Sequence, residues 1–262
     1  MIRLACLSMK GGVGASTISQ QILAPYILYR LGTSALLEVG ADTNSHAEWM
    51  KNSRVLRWVF SDGRTDEDCI SDLLLDVFYN KGFKSFVLDA LEINRGALIK
   101  AAGSMFLLSR FDLIVVPVAG GVNEIDRALD TFDLIKDCEP GAIGKVVFCI
   151  NRYPADLPLV DSVESLKEVV EQSRGDWHYL KECVRLLEST GAGFIVIPEL
   201  GSISKTRSTG LTLHELVEQS TLRKPTEEMC KKMHYIHSRA SEVKEVLQGI
   251  YTRIDSLIKV SP

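Results

Sequence analysis

The 262 residues predict an α/β fold in which a doubly wound, mostly parallel sheet carries helices on both faces. Three observations predict it. Short apolar runs alternate with longer segments of helical period, the pattern of strands that crossover helices bury on both sides. The runs, Ile2–Leu7, Ser34–Glu38, Ser85–Asp89, Leu113–Val118, Lys145–Ile150 and Phe194–Ile197, are each only a handful of residues long, as buried strands are. A glycine-rich turn, KGGVGAST at residues 10–17, joins the first run to the first helical segment.

The segment Ser16–Leu31 reads as a helix opened by Ser16 and Thr17, closed by Gly32 and bent at Pro25. Residues 123–136 set Ile125, Leu129, Phe132 and Ile135 three or four apart, which makes one apolar stripe. Residues 158–190 supply further helix through Val163, Leu166, Val169 and Val170 and then Leu180, Val184 and Leu187. From about 225 to 262, Val243, Leu247, Ile250, Ile254 and Leu257 make an amphipathic C-terminal helix. The segment between Trp49 and Trp58 fits no element, and both tryptophans are expected in the core or under a loop. With no repeat and no Gly/Ser/Pro-rich linker, residues 1–262 read as a single domain.

Hydrophobic residues make up 46% and charged residues 24%, which excludes disorder. A net charge of -4 gives no whole-chain reason to bind nucleic acid or membrane. The six cysteines form no CxxC pair, so a zinc or iron–sulfur site has no support. The N-terminus does not read as a signal peptide and no apolar run approaches a membrane span, so a cytoplasmic location is expected.

The glycine-rich turn carries the chemistry. Gly11, Gly12 and Gly14 let the backbone turn at positive φ and approach a ligand closely, and consecutive N–H groups with the following helix N-terminus attract phosphate oxygens. The turn follows a strand and opens a helix, the context that a phosphate loop requires. Ser16 is then placed to offer its hydroxyl oxygen to Mg²⁺, and Thr17 to approach the α-phosphate.

KGGVGAST resembles the deviant Walker A loop, KGGVGKST, of the ParA/MinD family of P-loop ATPases, which segregate plasmids and chromosomes or position division machinery. The resemblance implies ATP/ADP and Mg²⁺ as cofactors, with Gly11, Gly12, Val13, Gly14, Ala15, Ser16 and Thr17 around the phosphates. Lys10 matches the family's signature lysine, which reaches the partner's phosphates, and so implies an ATP-dependent homodimer. Ser85–Asp89 resembles the Walker B strand, making Asp89 the second Mg²⁺ residue with Ser16. Phe148–Arg152 resembles the strand whose closing asparagine, here Asn151 beside Arg152, reads adenine. Pro198 and Glu199, followed by Gly210–Leu216, resemble the segment lining the base pocket.

Two positions depart from the family. Ala15 stands where the lysine that neutralises the β- and γ-phosphates belongs, so hydrolysis is expected to be slow or absent. In Leu37–Asn44, Gly40 aligns with the aspartate that orients water; Glu38 keeps one carboxylate and Asp42 supplies the other if the loop shifts. The combination of Glu38 with Asp42-Thr43-Asn44 resembles a plasmid-borne StbB/TraL/MobD-like branch, as does the stretch with Asn123 and Thr131. Ala15 is equally readable as an engineered replacement of the lysine and as a natural departure paired with Gly40.

The resemblance implies a switch for plasmid partition, stability or conjugation, read by a plasmid-encoded partner protein or DNA-binding adaptor. A non-catalytic nucleotide-binding or protein-interaction scaffold is the alternative. Non-specific DNA binding would use Arg223, Lys224, Lys231, Lys232, Arg239 and Lys244, but Glu227, Glu228, Glu242 and Glu245 interrupt them, as on a solvated helix face. The tail helix lacks the cationic face of a membrane anchor.

Overall fold

A computed structural model describes residues 1–9, 11–40, 50–60, 67–80, 82–90, 95–121, 123–173, 177–201, 203, 206, 209–222 and 227–258. Seven strands form one sheet: β1 (Arg3–Cys6), β2 (Ala35–Val39), β3 (Leu56–Phe60), β4 (Phe86–Ala90), β5 (Leu113–Val118), β6 (Val146–Tyr153) and β7 (Gly193–Pro198). Their order is β3-β2-β4-β1-β5-β6-β7, and every described pairing is parallel. From β1 the chain steps out through β2 to β3, returns to β4 beside β1, then crosses β1 to β5 and steps out through β6 to β7. The carboxyl end of β1 is therefore the topological switch point, where folds of this kind bind ligands.

Alternation along the strands divides the core. In β5, Leu113 and Val115 face one side and Ile114 and Val116 the other. The first side is covered by α1 (Ala15–Ile18), α2 (Ala24–Leu31), α8 (Leu213–Leu222) and α9 (Glu227–Ile258). The second is covered by α3 (Glu67–Leu75), α4 (Arg95–Ser104), α5 (Glu124–Cys138), α6 (Val163–Gln172) and α7 (His178–Thr190). In α9, Val243, Leu247, Ile250 and Ile254 are buried against the first side. No helix among the described residues is long and apolar enough to cross a membrane.

Pro25 acts differently from a simple bend. Its ring cannot donate a backbone hydrogen bond and crowds the carbonyl one turn earlier. The chain widens upstream into a π-helical stretch, Ser19–Leu23, between α1 and α2. Gln20 and Gln21 are consequently both buried. Gly32 ends α2 at φ +73, donating to Leu28 O.

One strand departs from the sequence expectation. Residues 56–60 form β3 at the sheet edge, and Trp58 is 47% exposed rather than packed in the core. An edge strand has a neighbour on one side only, so its outer residues are left uncovered. Trp58 still meets the Phe83 ring edge-on at 5.5 Å. Trp49 lies outside the described residues.

Candidate functional site

The glycine-rich loop leaves β1 at the switch point and ends at Gly14, which caps α1 with φ +91 and no side-chain bond to the helix. Gly12, at φ +82, supplies the other left-handed turn. A glycine cap offers the first N–H groups of α1 no side-chain acceptor of its own, an arrangement that suits an anion. Val13 and Ala15 are buried, while Ser16 and Thr17 are half-buried.

Two distant residues brace the loop. The Asn151 amide nitrogen donates to Val13 O at 2.9 Å, and a Cβ on Gly14 would strike that same nitrogen. Any side chain at position 14 would thus be both strained and obstructed. At the loop's start, Met9 N donates to the Thr131 hydroxyl at 3.0 Å, and that hydroxyl donates to Arg127 O at 2.7 Å. Thr131 is fully buried in α5. Lys10 lies outside the described residues.

Strand register places Glu38 beside Asp89, and Asp89 beside Cys6, at the same end of the sheet as the loop. Asp89 is fully buried, and neither carboxylate oxygen has a hydrogen-bond partner of good geometry. Burial pushes its pKa up from the usual 3.8 to about 7; the nearby Ser16 hydroxyl opposes the rise, Glu38 adds to it, and Arg95 opposes it. A buried carboxylate so incompletely compensated, next to a serine hydroxyl at the mouth of the glycine-rich loop, is chemically suited to a divalent cation. Among the described residues no group of three or more His, Cys, Asp or Glu could hold a metal by itself.

Glu38 is equally buried but fully engaged. Gln20 donates to its Oε1 at 2.9 Å, and Arg57 of β3 forms an ion pair with its Oε2. Asp42, the other candidate near the water, lies outside the described residues. Gly40 closes β2 with its N–H on Phe60 O.

The base-side candidates sit at the ends of β6 and β7. A bulge between Asn151 and Tyr153 pushes Arg152 outward at φ +55. The Tyr179 hydroxyl donates to Arg152 O, and Glu199 N donates to Tyr153 O. Pro198 and exposed Glu199 line a shallow cavity of about 100 Å³ with Ala155, Leu157 and Leu200. The structure brings together the loop, Ser16, Glu38, Asp89 and Asn151. Pro198 and Glu199 are at the adjoining strand end.

Gly210–Leu216 has a clear structural task. Thr212 and Glu215 form a capping box at α8: Glu215 Oε2 accepts from Thr212 N and Oγ1, while Glu215 N donates to Thr212 Oγ1. Leu213 N donates to Gln21, tying α8 to the helix that the loop opens.

Sequence reasoning missed Gln20, Arg57 and Arg95. Only Gln20 left a signal, four residues after Ser16 on the same helical face. Of the C-terminal cations with described side chains, Arg239 pairs with Glu242 at 3.8 Å.

Among solved structures the chain resembles one in the MinC:MinD cell division protein complex of Aquifex aeolicus, with TM-score 0.62, 13% identity and coverage of 100% of this chain and 98% of that one. MinD of the same organism aligns at TM-score 0.57 and 15% identity, with 100% and 98% covered. An ATP complex of Cyanothece McdA aligns at TM-score 0.54 and 12% identity, again with 100% and 98% covered. At these identities the likeness is one of fold. No family model and no curated protein sequence matches the chain.

Proposed function

We propose that the chain is a ParA/MinD-like nucleotide switch in which ATP drives homodimerisation and hydrolysis is impaired by Ala15. The observation that carries this is Asp89: a fully buried carboxylate without a well-formed hydrogen bond, beside Ser16 and under a glycine loop that opens a helix. A group left so costly in the folded state has a use that the protein alone does not show.

Asp89 and Ser16 would hold Mg²⁺ with the nucleotide, and Mg²⁺ bound there would neutralise phosphate charge and orient the β–γ bond. The backbone N–H groups of Gly11–Thr17 receive the phosphates. Asn151 keeps the loop closed through Val13 O and lies at the adenine end with Arg152, Pro198 and Glu199. Lys10 reaches across the dimer. Glu38 would be the carboxylate near the attacking water, a role the resemblance also gives to Asp42, but both Glu38 oxygens are already taken by Gln20 and Arg57. The ATP named in the McdA complex supports the choice of nucleotide.

The work of such a switch is plasmid partition, stability or conjugation in the cytoplasm, with a plasmid-encoded protein or DNA-binding adaptor reading the closed dimer. The engagement of Glu38 also favours a second reading, a nucleotide-binding scaffold that never hydrolyses. Light scattering of the chain alone, with Mg-ADP and with Mg-ATP separates them. The switch predicts monomer, monomer and dimer. One mass in all three conditions points to the scaffold.

A further inference from the structure

Met9, at the entry of the glycine-rich loop, is held from two sides. The strand pairing of β1 ends just upstream, where Leu7 N donates to Val115 O at 2.9 Å. Past that bond the chain leaves the sheet, and the Met9 N–H is met instead by the Thr131 hydroxyl of α5 at 3.0 Å. The Met9 side chain rests on α4, since a Cβ on Gly96 would sit 3.4 Å from its methyl group.

Thr131 is built for that contact. It is fully buried beside Ala128, Phe132 and Ile135 on the inner stripe of α5. A hydroxyl in such surroundings costs stability unless it is hydrogen-bonded, and valine would fill the same space without that cost. The Thr131 hydroxyl donates to Arg127 O, one turn earlier, at 2.7 Å, a bond that helical threonines commonly make and that fixes their rotamer. With its proton committed there, the oxygen keeps its lone pairs for Met9 N. The other half of the loop is anchored separately, by Asn151 on Val13 O. Gly11 and Gly12 lie between the two anchors, and glycines hold no single conformation unless something holds them.

We propose that Thr131 is a positioning residue for the nucleotide: through Met9 N it fixes the entry of the glycine-rich loop, so that the N–H groups of Gly11–Thr17 converge before a phosphate arrives. The inference rests on the nucleotide reading above. A loop ordered in advance loses less conformational entropy on binding, and without its anchor that loss falls on the binding step.

The test compares Thr131→Val, which keeps the shape and removes the hydroxyl, with Thr131→Ser, which keeps the hydroxyl. Calorimetric titration with Mg-ADP and Mg-ATP is run on the full chain, or on Ala15→Lys if only that form binds, with urea unfolding to verify folding. Thr131→Val is expected to weaken both nucleotides by about three- to tenfold, the range of one hydrogen bond, with the loss in the entropy of binding. Thr131→Ser should stay within about twofold of the parent. Without nucleotide, hydrogen exchange of the Gly11–Thr17 amides should speed up in Thr131→Val and not in Thr131→Ser. Thr131→Cys, a poor acceptor of smaller size, carries the test if the valine variant does not fold. A merely structural threonine would lower the stability of Thr131→Val and leave the affinity of the folded protein unchanged. Unchanged affinity, a loss that serine does not restore, or unchanged exchange in the loop would overturn the proposal while leaving nucleotide binding intact. If neither the present chain nor Ala15→Lys binds nucleotide, the nucleotide reading fails and this inference with it.

Discussion

Two buried carboxylates, Asp89 at the end of β4 and Glu215 in the first turn of α8, are treated in opposite ways by the same protein. Glu215 is 3% exposed and accepts from Thr212 N at 3.0 Å, Thr212 Oγ1 at 2.7 Å and Arg54 N at 2.7 Å. Those bonds outweigh its burial and hold its pKa below the ordinary value. Asp89 is fully buried, has no comparable bonds, and its pKa is pushed up to about 7 by desolvation. The bonds of Glu215 are thus complete within the folded chain, whereas the burial of Asp89 is left largely uncompensated by it. Burial alone does not identify a site; burial without compensation does.

The contrast can be broken most forcefully at Glu215. Replacing it with alanine strips acceptors from two backbone N–H groups and the α8 cap, and should cost about 3 kcal/mol in urea unfolding. Asp89→Asn should have the opposite sign, stabilising the ligand-free protein at pH 8 by about 2 kcal/mol because a buried charge disappears. The same variant should lose the thermal shift that Mg-nucleotide gives the parent. If Asp89→Asn destabilises the ligand-free chain as Glu215→Ala does, the two carboxylates are alike and the contrast collapses.

Acid and base sharpen it further. Asp89 has a raised folded pKa, so its contribution is fully present below about pH 4 and is lost as pH rises through about 7. Stability of the parent relative to Asp89→Asn should decline across that window and level off above it. Glu215 has a lowered folded pKa, so its contribution is present above about pH 4.5 and is lost as pH falls through the folded value. Stability relative to Glu215→Gln should decline toward acid. Parallel slopes in the two comparisons would contradict these assignments. The smallest effect belongs to Thr212→Ala, about 1 kcal/mol for a lost cap, with nucleotide affinity unchanged in titration.

The fold was legible where periodicity and chain order carry the information. Six strands, the loop and the helices around 123–136 and 158–190 declare themselves through short apolar runs and threefold or fourfold spacing. β3 did not, because its outward residues include Leu56 and Trp58, apolar groups that alternation assigns to a core. The pairing of Asp89 with Ser16 comes from the resemblance to a Walker B strand and its loop, and in the fold the Ser16 hydroxyl does lie close enough to act on the Asp89 carboxylate. Arg57 and Gln20 could not be read in advance, since their meeting at Glu38 depends on strand register and on the π-helical turn upstream of Pro25. In Gly210–Leu216, which the resemblance assigns to a base pocket, the helix cap made by Thr212 and Glu215 went unread.

The most direct measurement is calorimetric titration of the chain with ATP and ADP, each with and without Mg²⁺. The account predicts one nucleotide per chain, bound more tightly with Mg²⁺ than without, and no Mg²⁺ enhancement in Asp89→Asn. Absence of binding in this chain and in Ala15→Lys, or an enhancement that survives Asp89→Asn, would contradict it.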